Sequence, residues 1–440
     1  MSWFPLGSIP KKKFVFRSFG AFLVFFFFWV LIIGFFFVQL MVVEPVDDDF
    51  GNRYFTISIT VTYENRNSQG NIWYFSKEDK ELGLFMNNSW QKVYLLNVSC
   101  PIASFDVDLN GNPMAYMEFP TSELEPHGIF TYQVYYRVIL KPRVLSQIFV
   151  NRSGSFEDVP DDLRTVFCSP IGPWKSDDPV IYNTAYEIVG NETRVLSVLS
   201  DFIMWIVQNI KYESLDVPRY PNETLLEKKG DCDDQANLLI GLCRAVGIPA
   251  YLQIGCIYKS GTESTSNYWN GLWTSTLTDI GWHGWAVVYV PPWGWLPVDL
   301  TYSAGNSSDP LSHITSSAIM TNPTVQYINI TVTDYVLDSR LQKALIISEA
   351  RRILTHDVMI EEVQEKVTSK EIIGTPAQSI IYVGISIYAM CILVAMIFEP
   401  LKDILICFKS ECLLMIDSFI NCQIHGIPGV CVSKWRSSRS

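Results

Sequence analysis

The sequence predicts an α+β chain flanked by two transmembrane helices, with a β-sandwich preceding a mixed core of helices and strands. Three observations carry that expectation. Phe19 to Val38 and Ile380 to Phe398 are uncharged apolar runs of twenty and nineteen residues, long enough to cross a hydrocarbon layer of about 30 Å. Tyr54 to Tyr63 and Ile129 to Leu140 alternate apolar and polar side chains with the period of a half-buried strand. Between them and the second apolar run, Gln235 to Val246 forms an apolar helical stretch whose two ends are both written in the sequence.

Lys11, Lys12, Lys13 and Arg17 precede the first run, and Glu44, Asp47, Asp48 and Asp49 follow it. Lys402, Lys409, Lys434, Arg436 and Arg439 follow the second. Basic flanks stay cytoplasmic, so both termini are expected inside a cell membrane crossed twice, with residues 44–379 outside. The first run exceeds the 7–15 residues of a signal-peptide core and lacks a small-residue cleavage site, which favours an uncleaved anchor. The expected organisation is a cytoplasmic N-terminus (1–18), a first span (19–43), a sandwich (51–145), a core (180–335), a helical membrane-proximal segment (339–379), a second span (380–398) and a cytoplasmic tail (399–440).

The chain carries a net charge of −12, and the expected outer segment is its acidic part. It offers no Lys/Arg stripe, which excludes nucleic acid as a partner. Seven N-x-S/T sequons, at Asn87, Asn97, Asn151, Asn191, Asn222, Asn306 and Asn329, all fall in that segment and predict a glycoprotein. Neither a phosphate-cradling Gly-rich loop nor a His-rich ligand set is present, so no cofactor and no metal are expected. Cys407, Cys412, Cys422 and Cys431 in the tail match no closed zinc spacing. The sequence carries no signal for oligomeric state.

Along the outer segment, Phe55, Ile57, Ile59, Val61 and Tyr63 share one face of a strand, and Phe130 to Leu140 repeat the pattern. Gly, Asn and Pro turns between them suggest an immunoglobulin-like sandwich acting as a spacer or recognition module. Residues 151–192, rich in Pro, Asp and Gly, read as an interdomain joint. Leu199, Phe202, Ile203, Ile206 and Ile210 make a helical stripe. Lys259 to Ile280, rich in Ser, Thr, Gly and Trp, reads as a mobile lid. Ser339 to Leu354 reads as a helix, and Leu401 to Phe419 as an amphipathic helix on the inner membrane surface.

The chemistry converges on Gly230-Asp231-Cys232-Asp233-Asp234. Asp231 is a good N-cap and Asp234 completes a capping box, while Gly247 and Pro249 end the helix. Cys232 then stands at a helix start, where the dipole and free N–H groups favour a negative sulfur. The three aspartates oppose this unless they cap backbone groups or pair with Lys228, Lys229 or Arg244. Downstream, Trp282 to Val290 and Trp295 to Thr301 form a hairpin carrying His283 and Asp299. Cys232, His283 and Asp299 have the residue types of a nucleophile, a base and the carboxylate that orients it. A four-residue turn at Pro291–Gly294 would put His283 and Asp299 on opposite faces; an odd loop or a bulge is required.

The stretches WIVQNIKY (205–212), KGDCDDQANLLIGLCRAVGIPA (229–250) and HGWAVVYVPPWGWLPVDLT (283–301) resemble the three blocks of the transglutaminase-like core of the papain-like cysteine-protease superfamily. That resemblance, over about residues 180–305, implies a papain-like/transglutaminase-like fold with Cys232 as nucleophile and His283 and Asp299 completing the triad. It also implies an amide hydrolase or acyltransferase acting on a protein or peptide substrate through a thioester. The family often has an acidic residue where this chain has Val287, usually in a supporting role. The alternative is a catalytically inactive surface binding or adhesion protein built on the same fold. The tryptophans Trp269, Trp273, Trp282, Trp285, Trp293 and Trp295 are expected to be mostly core and hairpin aromatics.

Overall fold

The computed structural model describes residues 51–362 apart from 146 and 306. Both apolar runs, the two chain ends expected to be cytoplasmic and the sequon at Asn306 lie outside the described residues. Among the described residues no helix is long and apolar enough to cross a membrane.

The described chain is a mixed α+β fold organised along one eight-stranded sheet. Its strands are β1 (Arg53–Asn65), β2 (Gln91–Val98), β3 (Ile129–Leu140), β4 (Ala250–Tyr268), β5 (Trp273–Val290), β6 (Gly294–Val298), β7 (Thr324–Ile330) and β8 (Arg351–Glu361). The order is β7-β4-β5-β8-β1-β3-β2, with β6 also paired to β5. The helices are α1 (Asp161–Phe167), α2 (Pro179–Val189), α3 (Val195–Asn209), α4 (Pro221–Glu227), α5 (Cys232–Ala245), α6 (Pro310–Ile319) and α7 (Tyr335–Ser348).

The alternation in β1 and β3 does what it predicts. Phe55, Ile57 and Tyr63 bury one face of β1, and Tyr132, Val134, Tyr136 and Val138 bury one face of β3. They share a hydrophobic cluster with Met359 of β8 and with Cys256 and Ile280 of the β4–β5 hairpin. A three-stranded sheet of Glu81–Gly83, Pro113–Met117 and Ile102–Val107 adds Leu82, Ala115 and Met117 to the same cluster. A second cluster holds the stripe of α3, the apolar residues of α5 from Ala236 to Cys243 and the inner ends of β4 and β5.

Four expectations are corrected. The strands read as a separate sandwich continue into the core, because β8 pairs antiparallel with β1 and parallel with β5. Arg351–Glu361, expected to be helical and membrane-proximal, is that bridging strand; the helix ends at Ser348 and the left-handed Ala350 (φ 49) turns the chain. The 259–280 lid is the outer half of the β4–β5 hairpin, paired from Glu263↔Thr278 to Tyr268↔Trp273. Its Thr-rich strands suit a pleated surface, and Asn270-Gly271, both at positive φ (58° and 81°), turn the chain as a hairpin requires. The 151–192 joint contains α1 and α2, whose Ile181 and Ala185 are core residues.

Candidate active site

Helix α5 is the centre of the second cluster, buried from Asp234 to Arg244. Both predicted ends are present. Asp231 and Asp234 form the capping box, with Asp231 N–H donating to Oδ2 of Asp234 at 3.2 Å. At the other end Gly247 is left-handed (φ 82), and Ile248 N–H returns to the carbonyl of Cys243 at 2.9 Å. Cys232 is thereby held as the first residue of the helix, half-buried.

Strand β5 runs against this helix start. The backbone N–H groups of Gly284 and Asp233 lie near enough to the Cys232 sulfur to favour its negative form. Gly284 is required by the closeness of the approach. A Cβ there would lie 2.9 Å from Cβ of Asp233 and 3.0 Å from Cδ1 of Ile254. Its neighbour His283 is buried, with its ring tilted between Trp285 and Tyr302 at 5.9 and 5.8 Å.

The hairpin register resolves the parity question. Val290 pairs with Gly294 and Ala286 with Val298, leaving a three-residue connection, Pro291–Trp293. Odd length sends His283 and Asp299 to the same face. Nε2 of His283 lies 3.0 Å from Oδ2 of Asp299, off the straight line of a well-formed hydrogen bond. Asp299 is caged from the other side. Its Oδ1 accepts the N–H groups of Thr301 (3.0 Å) and Tyr302 (3.1 Å), and its Oδ2 those of Ser303 backbone (2.9 Å) and hydroxyl (2.7 Å). Burial works to raise its proton affinity, but His283 and these donors outweigh it and hold the carboxyl well below its ordinary value.

The thiol goes the other way. Burial first, then the charges of Asp233 and Asp231, push Cys232 well above the usual thiol range. The helix dipole therefore does not prevail in the resting structure. Two of the cations considered as partners for these aspartates, Lys229 and Arg244, are used elsewhere. Lys229 pairs with Glu213 at 2.6 Å, and Arg244 sits at the far end of α5, donating to the carbonyl of Ala250 at 2.8 Å and stacking on Trp174. The aspartates cap backbone groups instead. Asp231 accepts from Leu215 N–H (3.3 Å) and Asp234 from Arg219 N–H (2.7 Å). Asp231, crowded by burial and by Asp233, is pushed up to about 9, and Asp234 to about 6. Asp231, Cys232 and Asp233 bring their acidic atoms within 4.8 Å of one another, a cluster of like charge at the start of α5, and Asp233 also accepts the Tyr335 hydroxyl at 2.9 Å.

Several supporting residues escaped the sequence reading. His313, read only as a satisfied core histidine, clamps the backbone of Asp299. Its Nδ1 meets the Asp299 carbonyl at 3.0 Å, and its own carbonyl accepts the Asp299 N–H at 3.1 Å. Gln253 receives Nε1 of Trp285 at 3.1 Å. Ser303 had a local signal, since a short polar residue just after an aspartate favours a side-chain-capped turn; His313 and Gln253 had none. Of the six tryptophans, Trp269 and Trp285 are buried, and Trp269 ties the hairpin tip to the carbonyl of Asp216 at 2.9 Å.

Residues 182–300 match the family described as the Transglutaminase-like superfamily, and the chain carries a domain of that superfamily there. The match includes Cys232, His283 and Asp299. Among solved structures, the chain is similar to a "Putative Cysteine Protease" from Cytophaga hutchinsonii, 17% identical, with a TM-score of 0.44, covering 72% of this chain and 92% of that one. It is also similar to the periplasmic domain of TgpA from Pseudomonas aeruginosa, bound there to ethylmercury. That pair is 14% identical with a TM-score of 0.30, covering 57% of this chain and 90% of the other. No curated protein sequence matches the chain.

Proposed function

We propose that the chain is a membrane-anchored, extracytoplasmic cysteine-dependent amide hydrolase or acyltransferase acting on a protein or peptide. Cys232 attacks the amide carbon to form a thioester. His283 takes the thiol proton and returns it to the leaving amine, and Asp299 holds the imidazole with Nε2 turned inward, so that Nδ1 serves the sulfur. The observation that carries this reading is the 3.0 Å approach of His283 to Asp299 on a strand whose next residue, Gly284, packs directly against the start of α5 that carries Cys232. Backbone N–H groups at the start of α5 are suited to the developing oxyanion.

The anchoring is supported by where the described chain ends. β1 begins and β8 ends side by side, Phe55 opposite Glu361, with Arg53 paired to Glu361 at 2.7 Å. The start of β1 and the end of β8 thus lie at one end of the sheet, which suits two spans, 19–43 and 380–398, in a single bilayer with both termini inside. Asn97, Asn151 and Asn191 are exposed and suited to glycosylation, whereas Asn329 is tied to Gln253 and Asn112.

The test is labelling of whole cells with a thiol-directed acylating probe, followed by turnover of a peptide library. Cys232→Ala is expected to abolish both signals, and His283→Ala and Asp299→Asn to lower turnover about 10²- to 10⁴-fold. Unchanged turnover in Cys232→Ala would end the catalytic reading. The raised thiol favours the second reading, an inactive surface binder, which predicts no turnover at all and an unreactive Cys232.

A further inference from the structure

Behind Cys232 runs a one-way chain of hydrogen bonds that begins at a fully buried indole. Nε1 of Trp174 donates to Oδ1 of Asn237 at 3.1 Å. Nδ2 of Asn237 donates to the Tyr335 hydroxyl at 2.6 Å and to the carbonyl of Arg219 at 3.2 Å. Tyr335 in turn donates to Oδ2 of Asp233 at 2.9 Å. The indole N–H can only donate, so Oδ1 of Asn237 must face it and the amide has one orientation. The Tyr335 oxygen is then occupied by an Asn237 N–H, and its proton has Asp233 as acceptor. Trp174 and Asn237 are wholly shielded from solvent, so water does not compete for these bonds.

The polarity of the relay has a consequence at its end. The acidic atoms of Asp231, Cys232 and Asp233 all lie within 4.8 Å of one another. Two carboxyls this close do not both ionise. Oδ2 of Asp233 accepts the Tyr335 proton, which fixes that carboxylate beside the sulfur. Asp231, with its buried Oδ1 lacking a partner, is the one that keeps its proton.

We propose that Tyr335 is a positioning residue for the nucleophile: through the Trp174–Asn237–Tyr335 relay it holds the Asp233 carboxylate beside Cys232, where it opposes a negative charge on the resting sulfur. This deepens the proposed function and rests on Cys232 being the nucleophile. The sulfur then loses its proton to His283 as the S–C bond forms, while the carbonyl π electrons pass to oxygen; no thiolate waits for substrate. The titratable groups around the sulfur are Asp231 and Asp233 on α5, His283 on β5 with Asp299 behind it, and Tyr212 beside the helix start, itself pushed up to about 12 by burial and by the Cys232, Asp231 and Asp233 charges. Tyr335 lies on α7, beyond the 182–300 match.

The test is the pH dependence of Cys232 alkylation by iodoacetamide in the full-length protein, read by mass spectrometry on the Cys232 peptide. The wild-type inflection is expected above that of an ordinary cysteine. Asp233→Asn should lower it by about one pH unit or more. Tyr335→Phe should lower it by a smaller step, because the Asp233 carboxylate is then no longer held against the sulfur. A Tyr335→Phe protein that melts earlier or reacts more slowly with the same inflection would reduce Tyr335 to a packing role and overturn the proposal. If Tyr335→Phe does not fold, Asp233→Asn decides alone: an inflection left in place overturns the proposal. Failure of the catalytic reading is seen separately, as unchanged turnover in Cys232→Ala.

Discussion

Nε2 of His283 and Oδ2 of Asp299 meet at 3.0 Å because only three residues, Pro291–Trp293, join the paired Val290 and Gly294. One residue inserted after Trp293 would change the parity and turn Asp299 to the opposite face. Turnover should then fall about 10²- to 10⁴-fold, as for Asp299→Asn. Insertion of two residues should recover much of the loss. Equal activities for one and two added residues would show that register does not govern the pair.

Asp231 carries its proton in the fold up to about pH 9 but releases it near pH 4 when unfolded. The folded state binds more protons across that window, so this residue's contribution to stability falls as pH rises from about 4 to about 9. Asp231→Asn retains an oxygen for Leu215 N–H and removes the ionisation. Urea unfolding should find the variant more stable by roughly 1–3 kcal/mol at pH 8 and near wild type below pH 4. A difference independent of pH would contradict this assignment.

Gly284→Ala should damage the site directly, because this glycine faces the start of α5. Its Cβ would meet Asp233 at 2.9 Å, which forces β5 away from the start of α5. A stability loss of about 1–3 kcal/mol is expected from overpacking. Turnover should fall further than the folded fraction does, since the N–H that reaches Cys232 moves with the strand. Thermal melting alongside kcat/KM separates the two effects.

Hydrogen exchange distinguishes a hairpin arm from a lid over residues 259–280. Amides in the paired stretches Glu263–Tyr268 and Trp273–Thr278 should exchange slowly, and those of Trp273–Thr278 most slowly because β8 pairs with that segment as well. Trp269→Ala should speed exchange at the tip by releasing it from Asp216. Uniformly fast exchange across 259–280 would restore the lid.

The parts that could be read from the sequence are those whose cause is local. The ends of α5 follow from Asp231, Asp234 and Gly247, and β1 follows from its alternation. The need for an odd turn between His283 and Asp299 is a counting argument. β8 was hidden because its apolar residues continue the apolar run of α7, and only the left-handed Ala350 separates them. The Asn270-Gly271 turn of the β4–β5 hairpin lies inside a Ser-, Thr- and Gly-rich stretch whose composition reads as loop. Trp174, Asn237 and Tyr335 belong to three distant segments, and nothing near any of them in sequence announces the others.

The antiparallel ladder of β1 and β8 joins eleven residue pairs, from Phe55↔Glu361 to Asn65↔Arg351. For a chain anchored as proposed, a protease that severs one tether would release nothing into the medium. The cut end would stay zipped to the strand still rooted in lipid, and catalysis would continue at the cell surface. Shedding demands two cleavages, so a nicked but retained species should precede any soluble one.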